Sequence, residues 1–183
     1  MLKIIDKIRF TLDGNRMKKM GDVKNAIDHF KTNKNKNLYF LLKNRFSWMN
    51  KFIKTDDIGL EVGAGAGFSK HFIASKNLKI CDIENHDHLD LKKIDAQNTG
   101  LSNNSFDFVI ASNMLHHVAY PIKFLEEIYR ILKPGGKLII QEAYCSLIFQ
   151  VITILMKHEG FDFTKNIWQE KDPMSNAQDA WAG

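Results

Sequence analysis

The chain has little of what covalent or metal-held scaffolds need. Only two cysteines, Cys81 and Cys145, stand among its 183 residues. Cys81 falls in an apolar run, so the pair reads as buried thiols rather than as a disulfide or a metal pair. No leader with a charged start, an apolar stretch and a small-residue cleavage site is visible. The longest apolar run, Leu147 to Met156, is too short to span a bilayer and is interrupted by Gln150 and Thr153. It reads as a core-facing helix, with a lid over a substrate or a membrane-touching face left open. Together these absences predict no transmembrane segment and a reducing, cytoplasmic setting. No internal repeat is visible, nor any RNA-binding module with aromatics spaced for base stacking.

Negative charge is scarce at one end. Met1 to Lys54 carries 14 Lys and Arg against 4 Asp, a net of +10, whereas the rest of the chain nets −5. A Lys- and Asn-rich run, Lys31 to Asn37, leads into an amphipathic pattern from Leu38 to about Ile53, and Asp13-Gly14 marks a turn ahead of it. This divides the chain into a basic helical cap over 1–54 and a second unit over 55–183. A basic block fits a solvated cap, an RNA or an anionic membrane. With 44% apolar residues over its 183 positions, the chain can bury one sizeable core.

What is present begins at Ile58. Ile58-Gly59-Leu60-Glu61-Val62 is apolar enough for an interior strand of a parallel sheet, apart from its one acid. Gly63-Ala64-Gly65-Ala66-Gly67 follows, and a helix is expected from about Phe68. Glycines at every second position let the backbone turn sharply and keep side chains away from a ligand. The spacing is G-x-G-x-G, and Phe68 stands where the dinucleotide fingerprint would have its third glycine. A pyrophosphate is also poorly matched to Glu61, two residues before the first glycine, whereas an ammonium and a sulfonium are matched well. The pattern therefore favours S-adenosylmethionine over NAD.

Acids recur at the expected strand ends. Leu78-Lys79-Ile80-Cys81-Asp82 reads as the second strand, with Asp82, beside Ile83, placed to accept hydrogen bonds from both hydroxyls of a ribose. Lys93-Ile94-Asp95-Ala96 ends a short third strand, its acid able to accept from an adenine amino group. Phe106 to Ala111 is the clearest strand, entered through the turn Asn103-Asn104-Ser105 and opening into Ser112-Asn113-Met114-Leu115-His116-His117. A helix with Pro121 in its first turn carries Ile122, Leu125, Ile128, Ile131 and Leu132 on one face. Lys133-Pro134-Gly135-Gly136 is expected to stop it, and Lys137 to Gln141 to form a fifth strand. Strands alternating with helices predict a Rossmann-like α/β fold, a doubly wound, mostly parallel sheet with helices on both faces. Ligands bind such sheets at the carboxyl ends of the strands, where Gly63, Asp82, Asp95 and Asn113 all fall.

In order and spacing, Glu61 to Gly67, Asp82, Asp95-Ala96, Phe106 to Ile110, Met114 to Val118 and Leu132 to Leu138 resemble the class I S-adenosylmethionine-dependent methyltransferases. The resemblance implies that Gly63 and Gly65, with Ala64 and Gly67 in the same turn, approach the methionine part of the cofactor, with Glu61 near its ammonium. It further implies Asp82 and Ile83 at the ribose, Asp95 and Ala96 at the adenine, and Asn113 along the methionine side. His158-Glu159-Gly160 and the tail bearing Trp181 are similar to methyltransferases found among bacterial surface-polysaccharide genes. Seven strands are usual in that family. Nothing after Gln141 reads as two further strands, so the C-terminal pair is expected to be missing and strand five to form a sheet edge.

The expected chemistry asks for in-line placement of an acceptor, exclusion of water and, for a hydroxyl, a general base. His116 and His117 are the candidates, since a neutral imidazole takes a proton near neutral pH. One of them is equally suited to capping or packing the following helix. Glu142 and Tyr144 could orient a substrate by position alone. No metal is expected, because adjacent histidines lack a third ligand at recognisable spacing. Enzymes that methylate the exocyclic amines of bases often carry Asn-Pro-Pro-Tyr or Asp-Pro-Pro-Tyr after strand four, and Ser112-Asn113-Met114-Leu115 has no proline. The expected acceptor is therefore a small molecule, at a hydroxyl or carbon of a sugar or other metabolite. An RNA methyltransferase guided by the basic segment and a non-catalytic binding module remain as alternatives.

Overall fold

The structure is a computed structural model, and it describes residues 23–32, 36–143, 146–156, 160–162 and 179–181. Five parallel strands, β1 (Ile58–Val62), β2 (Asn77–Asp82), β3 (Leu91–Lys92), β4 (Phe106–Ser112) and β5 (Leu132–Gln141), form one sheet in the order β3-β2-β1-β4-β5. This is the Rossmann-like arrangement expected from the alternation of elements. The order reverses direction beside β1, so a crevice opens outside the carboxyl ends of β1 and β4.

Side-chain alternation gives the sheet two apolar faces. On one, Ile80, Phe108 and Ile110 pack with Leu42 and Phe46 of helix α2 (Lys36–Phe46) and with Met49 and Ile53. A 3-10 turn, Ser47–Lys51, continues that helix, so the apolar stripe expected from Leu38 to Ile53 is real but changes pitch at Ser47. Trp48 from this turn donates its indole N–H to the Gln141 side chain at the end of β5, at 3.2 Å. On the other face, Leu60, Val62, Val109 and Ala111 pack with Phe124, Ile128 and Ile131 of helix α3 (Pro121–Ile131). The remaining helices are α1 (Val23–Thr32), whose Phe30 ring packs on Phe68 at 4.9 Å, and α4 (Leu147–Met156).

Four local expectations need correction. The segment after Gly67 forms only a 3-10 turn, Phe68–His71. Asn50 explains this, because its side chain bonds the Phe72 carbonyl (2.8 Å) and the Ala74 N–H (2.8 Å), groups that a longer helix would use internally. The third strand is Leu91–Lys92, ended by Lys93 at φ 56°, which leaves Asp95 in the following turn. Lys133 to Gly136 do not separate a helix from a strand. They form a bulge inside β5, between the pairs Leu132–Phe106 and Lys137–Phe108. Finally, two short strands do follow Gln141: β6 (Gly160–Asp162) and β7 (Asp179–Trp181) pair in parallel as a separate sheet. Three-residue strands are too short to leave an alternation in sequence. Among the described residues β5 pairs only with β4, so it remains an edge of the main sheet. Asp13-Gly14, Tyr144, Cys145, His158 and Glu159 lie outside the described residues.

Candidate cofactor and acceptor site

The turn after β1 is built by three left-handed glycines, Gly63 (φ 63°), Gly65 (φ 50°) and Gly67 (φ 67°). Their missing side chains serve different ends. A Cβ at Gly63 would stand 2.8 Å from the Met114 side chain, and one at Gly67 would stand 2.6 Å from Ile80. Those two positions make room for the protein's own packing. Gly65 alone of the three faces open space, with nothing within 4 Å. Ala64 N–H, donating to the Cys81 carbonyl at 3.0 Å, ties this turn to β2.

Carboxylates surround the open position. Asp82, half-buried at the end of β2, accepts the Gly65 N–H at 2.9 Å through one oxygen and the Glu84 N–H at 3.0 Å through the other. Each oxygen keeps a further lone pair for a ligand hydroxyl. His88 Nε2 lies 2.7 Å from the Gly65 carbonyl, a contact that no sequence motif announces. Glu61 sits beneath the turn, 2% exposed, in a hydrogen bond with the buried Ser69 hydroxyl. Burial pushes its carboxyl up to about 7; the Ser69 bond and the positive charge of Arg45 pull the other way, and Asp82 adds to the rise. Burial also pushes the Cys81 thiol up to about 12, with Asp82 and Glu61 contributing.

The other predicted residues divide between this crevice and its rim. Ile83 is exposed beside Asp82. Asp95 is folded into its own turn, where one oxygen accepts both the backbone N–H (2.8 Å) and the side-chain amide (3.1 Å) of Gln97. Ala96 next to it is buried in the α3-side core. Asn113 adopts φ 53° at the end of β4, a conformation asparagine tolerates better than most residues, and donates its N–H to the Gln141 carbonyl at 2.7 Å. Beside it, the Ser112 hydroxyl is buried without a hydrogen-bond partner among the described residues. A buried hydroxyl without a partner at such a strand end is able to bond a polar ligand atom. Sequence reasoning passed over Ser112 because a serine ending a strand has no distinguishing pattern.

His116 and His117 fall in a third 3-10 turn, Leu115–His117, with ring centroids 4.0 Å apart. Met114 couples this turn to the glycine turn by filling the space over Gly63. Glu142, just past β5, accepts the N–H groups of Met114 (3.0 Å) and Leu115 (2.7 Å) and lies 2.5 Å from His116 Nδ1. Among the described residues, no group of three His, Cys, Asp or Glu is arranged to hold a metal ion. No described helix is long and apolar enough to cross a membrane.

Residues 60–140 match the model of the methyltransferase domain family. That stretch, 81 of the 183 residues, resembles the class I S-adenosylmethionine-dependent methyltransferases. The demethylmenaquinone methyltransferase of Paenarthrobacter aurescens is 33% identical over 101 residues, covering 49% of this chain and 40% of that protein. A ubiquinone/menaquinone biosynthesis C-methyltransferase of Hydrogenovibrio crunogenus is 42% identical over 60 residues, covering 33% of this chain and 21% of that protein. The chain thus spans less than half the length of these relatives. The crystal structure of the PH0226 protein from Pyrococcus horikoshii OT3 shares the fold, with a TM-score of 0.54 at 18% identity over 72% of this chain and 66% of that one. S-adenosylmethionine is the cofactor of this domain class. The residues present fit it. An open glycine backbone flanked by two acids and an orphaned hydroxyl suits a ligand carrying positive charge and hydroxyl groups.

Proposed function

We propose that the chain transfers a methyl group from S-adenosylmethionine to a hydroxyl or carbon of a small-molecule acceptor, a sugar or another metabolite. The observation that carries this reading is the open space at Gly65, with Asp82 bonded to its N–H and Glu61 buried beneath. In this reading Asp82 receives the ribose hydroxyls and Glu61 faces the ammonium. Gly63, Ala64, Gly65 and Gly67 line the methionine portion together with Asn113, and Asp95, Ala96 and Ile83 border the adenosine. When bound, the cofactor supplies an electrophilic methyl group on a positively charged sulfur. The protein's task is then to hold the acceptor in line, exclude water and accept a proton where the acceptor is a hydroxyl. Two relatives named for quinone-pathway methylation support a small-molecule acceptor.

Calorimetric titration with S-adenosylhomocysteine tests the assignment. Wild type is expected to bind it more tightly than NADH, and Asp82→Ala to weaken it by about 1–3 kcal/mol, the cost of leaving buried polar partners unpaired. An affinity unchanged by Asp82→Ala would remove the ribose role, and tighter NADH binding would remove the cofactor assignment.

A further inference from the structure

Glu142 divides its carboxylate between two tasks. Oε1 accepts the N–H groups of Met114 and Leu115, at 3.0 and 2.7 Å, and so pins the entry to the histidine turn. Oε2 lies 2.5 Å from His116 Nδ1, and both side chains are partly shielded from water. Carboxylate oxygens take hydrogen bonds, so Nδ1 carries the proton and, in the neutral ring, Nε2 carries the lone pair. The same side chain thus sets where the ring sits and which nitrogen is basic. The turn it holds adjoins the glycine turn, since Met114 fills the space over Gly63.

We infer that Glu142 is a positioning residue that makes His116, rather than His117, the general base toward a hydroxyl acceptor. This rests on the methyl-transfer reading above. As the acceptor oxygen bonds the methyl carbon, the carbon–sulfur electron pair stays on sulfur and the hydroxyl proton passes to His116 Nε2. Glu142 then faces the imidazolium it has oriented, which favours the charged ring as the acid of a catalytic triad does. Carbon acceptors bearing a neighbouring hydroxyl, whose deprotonation places electron density on carbon, use the same base.

The test uses the full chain with histidine nitrogens labelled, His116→Gln assigning the resonance. In wild type, neutral His116 is expected as the Nδ1–H tautomer. Glu142→Gln keeps an amide oxygen for the Met114 and Leu115 N–H groups but removes the charge. It is expected to mix the tautomers and lower the His116 titration midpoint by about one pH unit, the scale of one nearby opposite charge. Glu142→Asp should restore part of both. His117, with its ring centroid 4.0 Å away, is followed in the same spectra as the internal comparison. A tautomer and midpoint unchanged in Glu142→Gln would overturn the inference. A second readout is carbethoxylation of His116 by diethyl pyrocarbonate, mapped by mass spectrometry. Bound S-adenosylhomocysteine should slow it several-fold, and no protection despite measured binding would place His116 away from the cofactor and overturn the base role. If calorimetry instead finds no binding at all, the methyl-transfer reading fails while the spectra still report the Glu142–His116 pair, so the two failures are distinct.

Discussion

Two buried glutamates, one on each side of the sheet, are treated in opposite ways. Glu127 on α3 is saturated: it accepts the Thr99 N–H at 2.7 Å, the Thr99 hydroxyl, and the Arg130 Nε and Nη2 at 2.8 and 2.7 Å. The Arg130 bonds, followed by those from Thr99, hold its carboxyl down to about 2 against the opposing effect of burial. Glu61 on β1 is more deeply buried, has Ser69 as its side-chain hydrogen-bond partner and sits near 7. Three bonds on one oxygen and one on the other, all supplied from within, mark a structural carboxylate, one that fastens α3 to the loop at Thr99. On the proposed reading, a carboxyl kept dry and under-supplied near the end of a central strand is the one left for the cofactor's ammonium.

Removing the saturated acid should have the largest effect. Glu127→Ala strands the two buried Thr99 donors and takes away the carboxylate that the partly exposed Arg130 bonds, and is expected to cost about 3 kcal/mol in urea unfolding at neutral pH. Glu127→Gln, which keeps an acceptor for Thr99, should cost clearly less. Equal losses in the two variants would mean that charge, not hydrogen bonding, fastens this corner.

Glu61 should respond to pH instead. Its folded-state pKa, about 7, lies above the ordinary carboxylate value of 4.5, so the folded chain holds this proton more tightly than the unfolded one. Its contribution to stability is therefore fully present below about 4.5 and is lost as pH rises towards 7, by up to about 3 kcal/mol. Glu61→Gln should flatten that part of the stability profile and melt higher than wild type above neutral pH. Saturating S-adenosylhomocysteine should also flatten it, because an ammonium beside Glu61 favours the ionised form. A wild-type profile that rises between pH 5 and 7 would contradict the environment assigned to Glu61.

The same contrast shows what sequence could reveal. Glu61 was legible because an acid inside Ile58–Val62 breaks an apolar run directly before a glycine turn. The strands β1, β2 and β4 were legible for the same reason, since strands covered on both faces are nearly uniform in hydrophobicity. Glu127 was not, because a glutamate in an amphipathic helix looks like any solvent-facing one until Thr99 is brought to it by the fold. Glu142 was placed only by its position after β5, and its link to His116 spans strands that meet only in the sheet. The helix expected after Gly67 failed because Asn50, distant in sequence, takes the backbone groups that would have continued it. Local pattern reports burial well. It is blind to which distant side chain completes a hydrogen bond.

The smallest effect should come from Ser69→Ala, which moves Glu61 further from Glu127 in character. Ser69 is fully buried and its hydroxyl is bonded to Glu61, one of the influences that hold this carboxyl's pKa down. Losing it should cost about 1 kcal/mol below pH 5, the net worth of one hydrogen bond. It should also raise the Glu61 titration midpoint, followed by the carboxyl carbon resonance. Because a bound ammonium must then draw the proton off a weaker acid, S-adenosylhomocysteine affinity should fall at pH 6 and recover at pH 8. A pH-independent loss would assign Ser69 to shaping the glycine turn, and the contrast between the two glutamates would then rest on burial alone.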